Sequence, residues 1–480
     1  MCSMFILAGR VRGLVMVFCS VLLLGGCLSS SGGEDSASIS VQRWNRIAND
    51  AGALDHTPLQ VGEVRTFGHQ LGPVRSSRAL AIVHIAMFDA IIAISGGYKS
   101  YTSLSAAPLG TSMQAAVAQA AHDTLVALYP SHSQTFGQRL AEDLQGIVDT
   151  TARSKGVLLG QQAAAAILAQ RANDGANLPV TYTPGVEAGK WRPDPLNPGQ
   201  VALGAGWRNV KPFALDRSDQ FRVPPPPLLG SLEYANSFAE VKSLGGDGVI
   251  TPTIRTENQR RIGIYWAYDG VPGLGAPPRL YNQIALQIGK ERGLNGIELA
   301  RLMALVNISM ADAGIAIWES KFFYNFWRPV GGIRESDPGT GPSLTGDGNA
   351  LTIGDVGFTP LGAPASNTTN LNFTPPFPAY PSGHAGFGAA MFQVLRNVLA
   401  TDNVPFTFVS DEFNGVTRDN TGNVRPLQPR SFATLSQAEE ENGQSRIYLG
   451  IHWSFDKTAG IAQGKNVSNH VMAKVYQRAT

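Results

Sequence analysis

The sequence predicts an all-α protein, one compact body built from two related helical halves with minor β ribbons. Three observations carry that reading. An apolar helical stretch occurs twice: residues 78–94 align with 301–317 at a constant offset of 223, and ten of the seventeen positions are identical, including Arg78, Met87 and Asp89. Alanine and isoleucine match easily by chance, but Arg, Met and Asp in register do not, so the stretch reads as an internal duplication of a buried helix. Helical periodicity flanks both copies, over 113–129 and 138–171 in the first half and over 279–289 and 297–326 in the second. Strand-like segments are confined to 406–409 and 431–433.

The chain opens on an export signal. Arg10 and Arg12 precede an apolar run over 14–24 that is too short to span a bilayer and stay there. The run ends in Leu24-Gly25-Gly26-Cys27, which resembles a bacterial lipoprotein processing box. That resemblance implies removal of residues 1–26 and lipidation of Cys27, placing the protein in a bacterial cell envelope, on the periplasmic or outer-membrane side; an ordinary secretory signal with a chance cysteine is the plainer reading. Residues 27–40, small and polar, suit a flexible tether. Cys2 and Cys19 fall inside the signal, so the mature chain has no cysteine for a disulfide and depends on packing. The most apolar later stretch, 302–318, is interrupted by Asn307 and Asp312, which argues against a membrane span.

From there the organisation follows helix and loop chemistry. Val41, Trp44, Ile47 and Ala48 lie at helical spacing in a short amphipathic helix over 41–52. Pro130 divides the helices of the first half. Residues 172–230 are rich in Gly, Asp, Asn and Pro and predict a connector or a wall with nothing beyond short turns. A second long loop, 331–376, is of the kind usually tied to function. The first half and connector, 41–230, are expected to be non-catalytic, and 231–480 to carry the chemistry.

That chemistry rests on three segments: Lys321 with Arg328-Pro329, Pro381-Ser382-Gly383-His384, and Ser445-Arg446 with His452 and Asp456. Ser382 can cap a helix starting at Gly383, leaving free N–H groups beside His384. A tetrahedral oxyanion needs fixed cationic donors, available from Lys321, Arg328 and Arg446, together with the Ser382 hydroxyl and the Gly383 amide. His452 would stand on the axial line, and Asp456, one helical turn on, could fix its tautomer or cap instead. His384 would face the anion as acid or base.

This pattern resembles that of vanadium-dependent haloperoxidases and of acid phosphatases in the type 2 phosphatidic acid phosphatase superfamily. The resemblance implies their helical-bundle fold, with vanadate or phosphate held by Lys321, Arg328, Ser382, Gly383 and Arg446. It makes His452 the vanadium ligand or phosphatase nucleophile, and His384 the group that protonates peroxide or the leaving group. Trp318 and Phe377 stand where chloroperoxidase-like members place aromatics near a halide, although both could simply be core. Hydrogen peroxide, halide and a small organic acceptor are the implied partners, and the superfamily's habit of pairing suggests a homodimer. Asp312 could orient a group in the site, but its repeat mate Asp89 suggests a structural duty. In the first half Tyr98 replaces Lys321, so that copy is expected to be a packing partner.

Other classes are disfavoured. With 38 basic and 36 acidic residues there is no electrostatic footprint for nucleic acid. His56, His69, His122, His132 and His470 lack partners at zinc-ligand spacing, and His84 reads as a satisfied core residue. The acids Glu439 to Glu441, within the unusually long interval between His384 and Ser445, are expected to face solvent or pair with arginine. A halide-oxidising peroxidase, a phosphatase working through a phosphohistidine, and a catalytically silent envelope lipoprotein are the readings carried forward.

Overall fold

The computed structural model describes residues 32–479. Thirteen helices are found there: α1 (Gly32–Asp55), α2 (Gly72–Ser95), α3 (Met113–Leu128), α4 (Ser133–Gln145), α5 (Thr150–Arg171), α6 (Leu232–Leu244), α7 (Glu257–Tyr265), α8 (Pro277–Glu291), α9 (Gly296–Tyr324), α10 (Pro329–Arg334), α11 (Gly383–Leu399), α12 (Leu435–Tyr448) and α13 (Ser454–Lys474). The only sheet among the described residues is an antiparallel ribbon of β1 (Phe406–Phe408) and β2 (Arg430–Phe432), with Phe406 opposite Phe432. The all-α expectation and the placing of the ribbons agree with the structure.

The duplicated helices α2 and α9 pack on each other at the centre, where Ala81, Val83 and Ile85 of one and Ala304, Val306 and Ile308 of the other are fully enclosed. Both are long and apolar enough to cross a membrane, contrary to the sequence expectation for 302–318, yet about nine-tenths of each apolar window is buried inside the fold. Their apolar surface is consumed by packing, which also shelters Asn307 and Asp312. The repeat extends to its polar residue: Asp89 accepts from the Tyr101 and Thr102 amides, and Asp312 from the Phe213, Ala214 and Leu215 amides. Each carboxylate pins the loop crossing its helix, so Asp312 is structural. His84 is also a core residue, with Nε2 2.8 Å from Asn45 Oδ1.

Several boundaries differ from the sequence reading. Residues 32–40 belong to α1, in place of the second part of the expected tether, and Ala37, Ser40 and Val41 are buried, which gives that segment a packing reason to be helical. Cys27 and the signal lie outside the described residues. The helix expected over 138–171 is broken after Gln145 and restarts where the Asp149 side chain accepts from the Thr151 and Ala152 amides, a standard N-cap. The connector 172–230 has only a short turn at Trp207–Asn209. Within 331–376 the first residues belong to α10, and α6 and α7 were not anticipated.

Two glycines of α13 allow it to meet α11 backbone to backbone. A methyl group on Gly464 would run into the Gly386 carbonyl, and one on Gly460 would lie 2.6 Å from the Ser382 carbonyl oxygen. Gly464→Ala is therefore expected to cost about 1–3 kcal/mol of unfolding free energy through overpacking. Gly137→Ala, in α4 with nothing near its Cβ, is expected to stabilise by about 0.4–1 kcal/mol. Equilibrium denaturation of both variants checks the pair.

Candidate active site

The site forms where the end of α9, the start of α11 and the start of α13 meet. α9 begins with a reciprocal cap between Asn295 and Glu298 and ends at Asn325, whose left-handed backbone (φ 55°) turns the chain. This brings Lys321 into the last turn, fully buried, with Nζ donating to the Pro378 and Ala379 carbonyls at 2.7 and 2.9 Å. Arg328 lies just beyond, donating through Nε to the Phe377 carbonyl and through Nη1 to the Ile451 carbonyl. The loop over 377–381 is thus held by the two cations that precede it in sequence.

Ser382 caps α11 as expected, its hydroxyl accepting from the Ala385 amide. Its own amide donates to the Asp456 carbonyl at 2.9 Å, tying the first turns of α11 and α13 together. The His384 carbonyl takes the Tyr281 hydroxyl and the Asn442 amide, which hold that turn from the side of α8 and α12. On α13, Asp456 does both things considered for it: Oδ2 accepts from the Trp453 amide at 2.9 Å and from His452 Nδ1 at 2.7 Å. His452 is therefore assigned the tautomer with its proton on Nδ1, and Nε2 presents a lone pair, 2.9 Å from Arg328 Nη1.

Charge is the main physical feature. Among the described residues no carboxylate lies within ion-pair distance of Lys321 or Arg328, although both are buried. Burial, reinforced by Arg328, pulls the Lys321 ammonium far below the usual lysine range, and burial pulls the Arg328 guanidinium down to about 9. Burial, then Arg328, Lys321, Arg446 and His384 in turn, keeps His452 neutral, so all four lie near enough to act on one imidazole. Asp456 is pushed up to about 7 by the same burial. Arg328 Nη2 and Arg446 Nε and Nη1 are buried donors without an acceptor, and the Gly383 amide has none within its helix by position. Orphaned cationic donors around an imidazole nitrogen that carries no proton fit a multiply charged oxyanion.

Arg446 has a partner that sequence reasoning did not find: Nη2 donates to both oxygens of Asp269, at 2.8 and 2.9 Å. Asp269 also lies 3.7 Å from His384 Nε2, which donates to the Ala267 carbonyl at 2.6 Å. Burial first, then Arg446, lowers His384 to about 3. Asp269 follows α7 in a Gly-containing turn with no motif, and only the fold brings it to α12. His56 was set aside as a zinc ligand. It lines the cavity with Nδ1 on the Gly52 carbonyl and Nε2 accepting from the Gly72 amide, thereby fixing the start of α2.

The cavity, of about 240 Å³, opens onto Gly383, His384, Arg446 and His452. Trp318 and Phe377 face it with ring centroids 4.7 Å apart, and Lys321 Nζ lies 5.6 and 5.2 Å from the two rings. They are at once core aromatics and cavity wall, so the two sequence readings do not exclude each other. Glu439 to Glu441 each find a cation: Glu439 pairs with Arg396, Glu440 with Lys457 and Glu441 with Arg430.

The comparisons agree with this architecture. Residues 301–480 match the family profile described as the VCPO second helical-bundle domain. A vanadium chloroperoxidase from Curvularia inaequalis is 32% identical, over 87% of this chain and 78% of its own length. The fold is similar to that of a bacterial vanadium-dependent iodoperoxidase (TM-score 0.71, 22% identity, 92% of this chain and 97% of that one). It is also similar to a bacterial vanadium-dependent chloroperoxidase in its holo form (TM-score 0.63, 16% identity, 84% and 92%). Fold and site define an oxyanion-binding helical bundle. The chain belongs to the vanadium-dependent haloperoxidase family.

Two predictions follow from the charges. Asp269→Ala leaves a buried guanidinium unpaired and should cost about 3–5 kcal/mol. Orthovanadate or phosphate should restore more Tm to this variant than to the parent; equal shifts in calorimetry would show that Arg446 does not face the anion. His384 titrates near 3 when folded against an ordinary 6.5, so the unfolded chain binds more protons between those values. Stability should therefore fall as pH drops through that window, by about 1.4 kcal/mol per unit for this imidazole. His384→Gln should remove that share of the slope in anion-free denaturation.

Proposed function

We propose that the protein oxidises halide with hydrogen peroxide in a vanadate-dependent reaction, yielding a hypohalous acid equivalent that halogenates an organic acceptor. The observation that carries this reading is the pair of buried cations without carboxylates, Lys321 and Arg328, set beside the deprotonated Nε2 of His452, 2.9 Å from Arg328 Nη1. Vanadate, when bound, supplies Lewis-acid activation of peroxide without a change in its own oxidation state.

The residues divide the work as follows. Lys321, Arg328 and Arg446 offer N–H donors to the anion's oxygens, helped by the Ser382 hydroxyl and the Gly383 amide. His452 would hold the anion through the lone pair on Nε2, available because Nδ1 is committed to Asp456. The Nε2–H of His384 is held on the Ala267 carbonyl, and an anion that neutralises Arg446 removes one of the causes depressing its basicity. The imidazole is then able to take and return a proton beside the anion. Trp318 and Phe377 exclude water there and strip hydration from a halide.

The N-terminal half and connector, 41–230, support the site; their titratable residue in the cavity wall, His56, has both ring nitrogens engaged by main chain. Export and lipidation at Cys27 are part of the same proposal, supported by the Leu24-Gly25-Gly26-Cys27 sequence.

The test is to add orthovanadate to the purified protein and follow bromination and phosphate-ester hydrolysis in parallel. Vanadate-dependent bromination suppressed by phosphate is expected; hydrolysis with no bromination overturns the reading in favour of the phosphatase. His452→Ala should abolish vanadate-dependent turnover with the fold intact by circular dichroism. His384→Ala should keep vanadate binding and lose about a hundredfold or more in turnover.

A further inference from the structure

Behind the wall of the anion-site cavity lies a second cavity, of about 180 Å³, between the first turn of α2 and the connector. Leu71 and Leu203 line both spaces and form the partition. Leu203 is held from two sides: its carbonyl accepts from Trp318 Nε1 at 3.0 Å, and its amide donates to the Pro376 carbonyl at 2.9 Å. Its side chain closes on Gly72, where a Cβ would lie 2.6 Å from Leu203 Cδ2. Neither His384 nor His452 lines this second cavity, so its occupant is kept apart from the reacting atoms.

Its lining has a charge and no counter-charge. Arg75 stands over the Trp207 ring, 5.6 Å from the centroid, and both residues face the cavity. Arg75 Nη1 donates to Asn177 Oδ1 at 3.1 Å and Nη2 to the Ala176 carbonyl at 2.7 Å, both of them neutral acceptors. The nearby carboxylate, Asp174, is already shared by Arg78 and Arg171. Among the described residues none of the carboxylates lies within ion-pair distance of Arg75, and burial, then Arg78, pull its guanidinium below the usual range. Two further donors lack an acceptor. Trp207 is only 4% exposed and its Nε1–H has no partner, while the Val74 amide, third in α2, has none within its helix by position. The side chains of Val74, Leu178, Val180 and Leu203 make the rest of the lining apolar. A bare inorganic anion would lose its water against them, whereas a carboxylate on an apolar body suits both ends. An apolar cavity of about 150 Å³ is enough for benzene, so the body is the size of one ring.

We propose that this second cavity binds a small organic monocarboxylate. Its carboxylate lies among the Arg75 guanidinium, the Trp207 Nε1–H and the Val74 amide, and its apolar body rests on Leu178, Val180 and Leu203. The site is separate from the reaction centre and does not depend on what that centre catalyses.

Benzoate is the probe, and benzamide is the uncharged molecule of the same shape. Calorimetric titrations are run on the full chain, first anion-free and then in excess orthophosphate to fill the anion site. Benzoate should bind in both conditions with a Kd of about 1 mM or tighter, and benzamide at least tenfold more weakly. Arg75→Gln should weaken benzoate at least tenfold. Trp207→Phe, which keeps an aromatic ring and removes the donor, should weaken it severalfold. Both variants should keep the wild-type circular dichroism spectrum and the wild-type response to orthovanadate. Absence of benzoate binding, equal affinity for benzamide, or an affinity untouched by Arg75→Gln overturns the proposal. Displacement of benzoate by orthophosphate also overturns it, since the two anions would then share one site.

Discussion

The structure depends on an electrostatic imbalance kept inside a helical bundle. Lys321 and Arg328 are buried, and the donors they make go to main-chain carbonyls and to an imidazole, not to carboxylates. Desolvating a cation without a counter-ion is costly, and the surrounding helices must supply the stability that tolerates it. The long apolar pair α2 and α9, almost wholly enclosed, is that source. The chain stabilises its centre with the duplicated helices and keeps one end of α9 charged and incomplete. An anion of several oxygens resolves the imbalance, which links the fold to what it binds.

The same logic explains the asymmetry between the halves. Both copies of the repeat keep their aspartate, and in both it holds the amides of a crossing loop. Only α9 carries a lysine in its last turn, since Tyr98 takes that place in the first copy. Duplicated geometry has been put to two uses: one copy remains packing, and the other ends at a reactive centre. The first half still reaches that centre through His56, Leu71 and Pro73, which form part of the cavity wall.

Much of this was legible in the sequence because the signals were local. Pro-Ser-Gly-His set a cap, a helix start and an imidazole within four residues, and His452 with Asp456 lie one turn apart. The repeat gave the central pair and the short ribbons read correctly. What escaped was non-local or under-weighted. Asp269 has no motif, and its pairing with Arg446 spans 177 positions. The start of α7 was announced by Thr256 and Gln259, which cap each other, yet its nine residues are too few for a periodicity to stand out. Gly146 ends a helix that alanine-rich composition made look continuous. Residues 32–40 read as tether because the segment is mostly small and polar, and small residues such as Ala37 and Ser40 are also what a close-packed helix face accepts.

The glycine contact between α11 and α13 has a bearing on how such a site lasts. Where two helices touch through main chain, and the Ser382 amide is tied to the Asp456 carbonyl, the spacing of the two imidazole-bearing turns is set by atoms every residue possesses. Side chains elsewhere in the bundle can be exchanged over evolutionary time without resetting that gauge. The walls and loops around the cavity can then be altered, and with them the molecules admitted, while the distance between those two turns is kept.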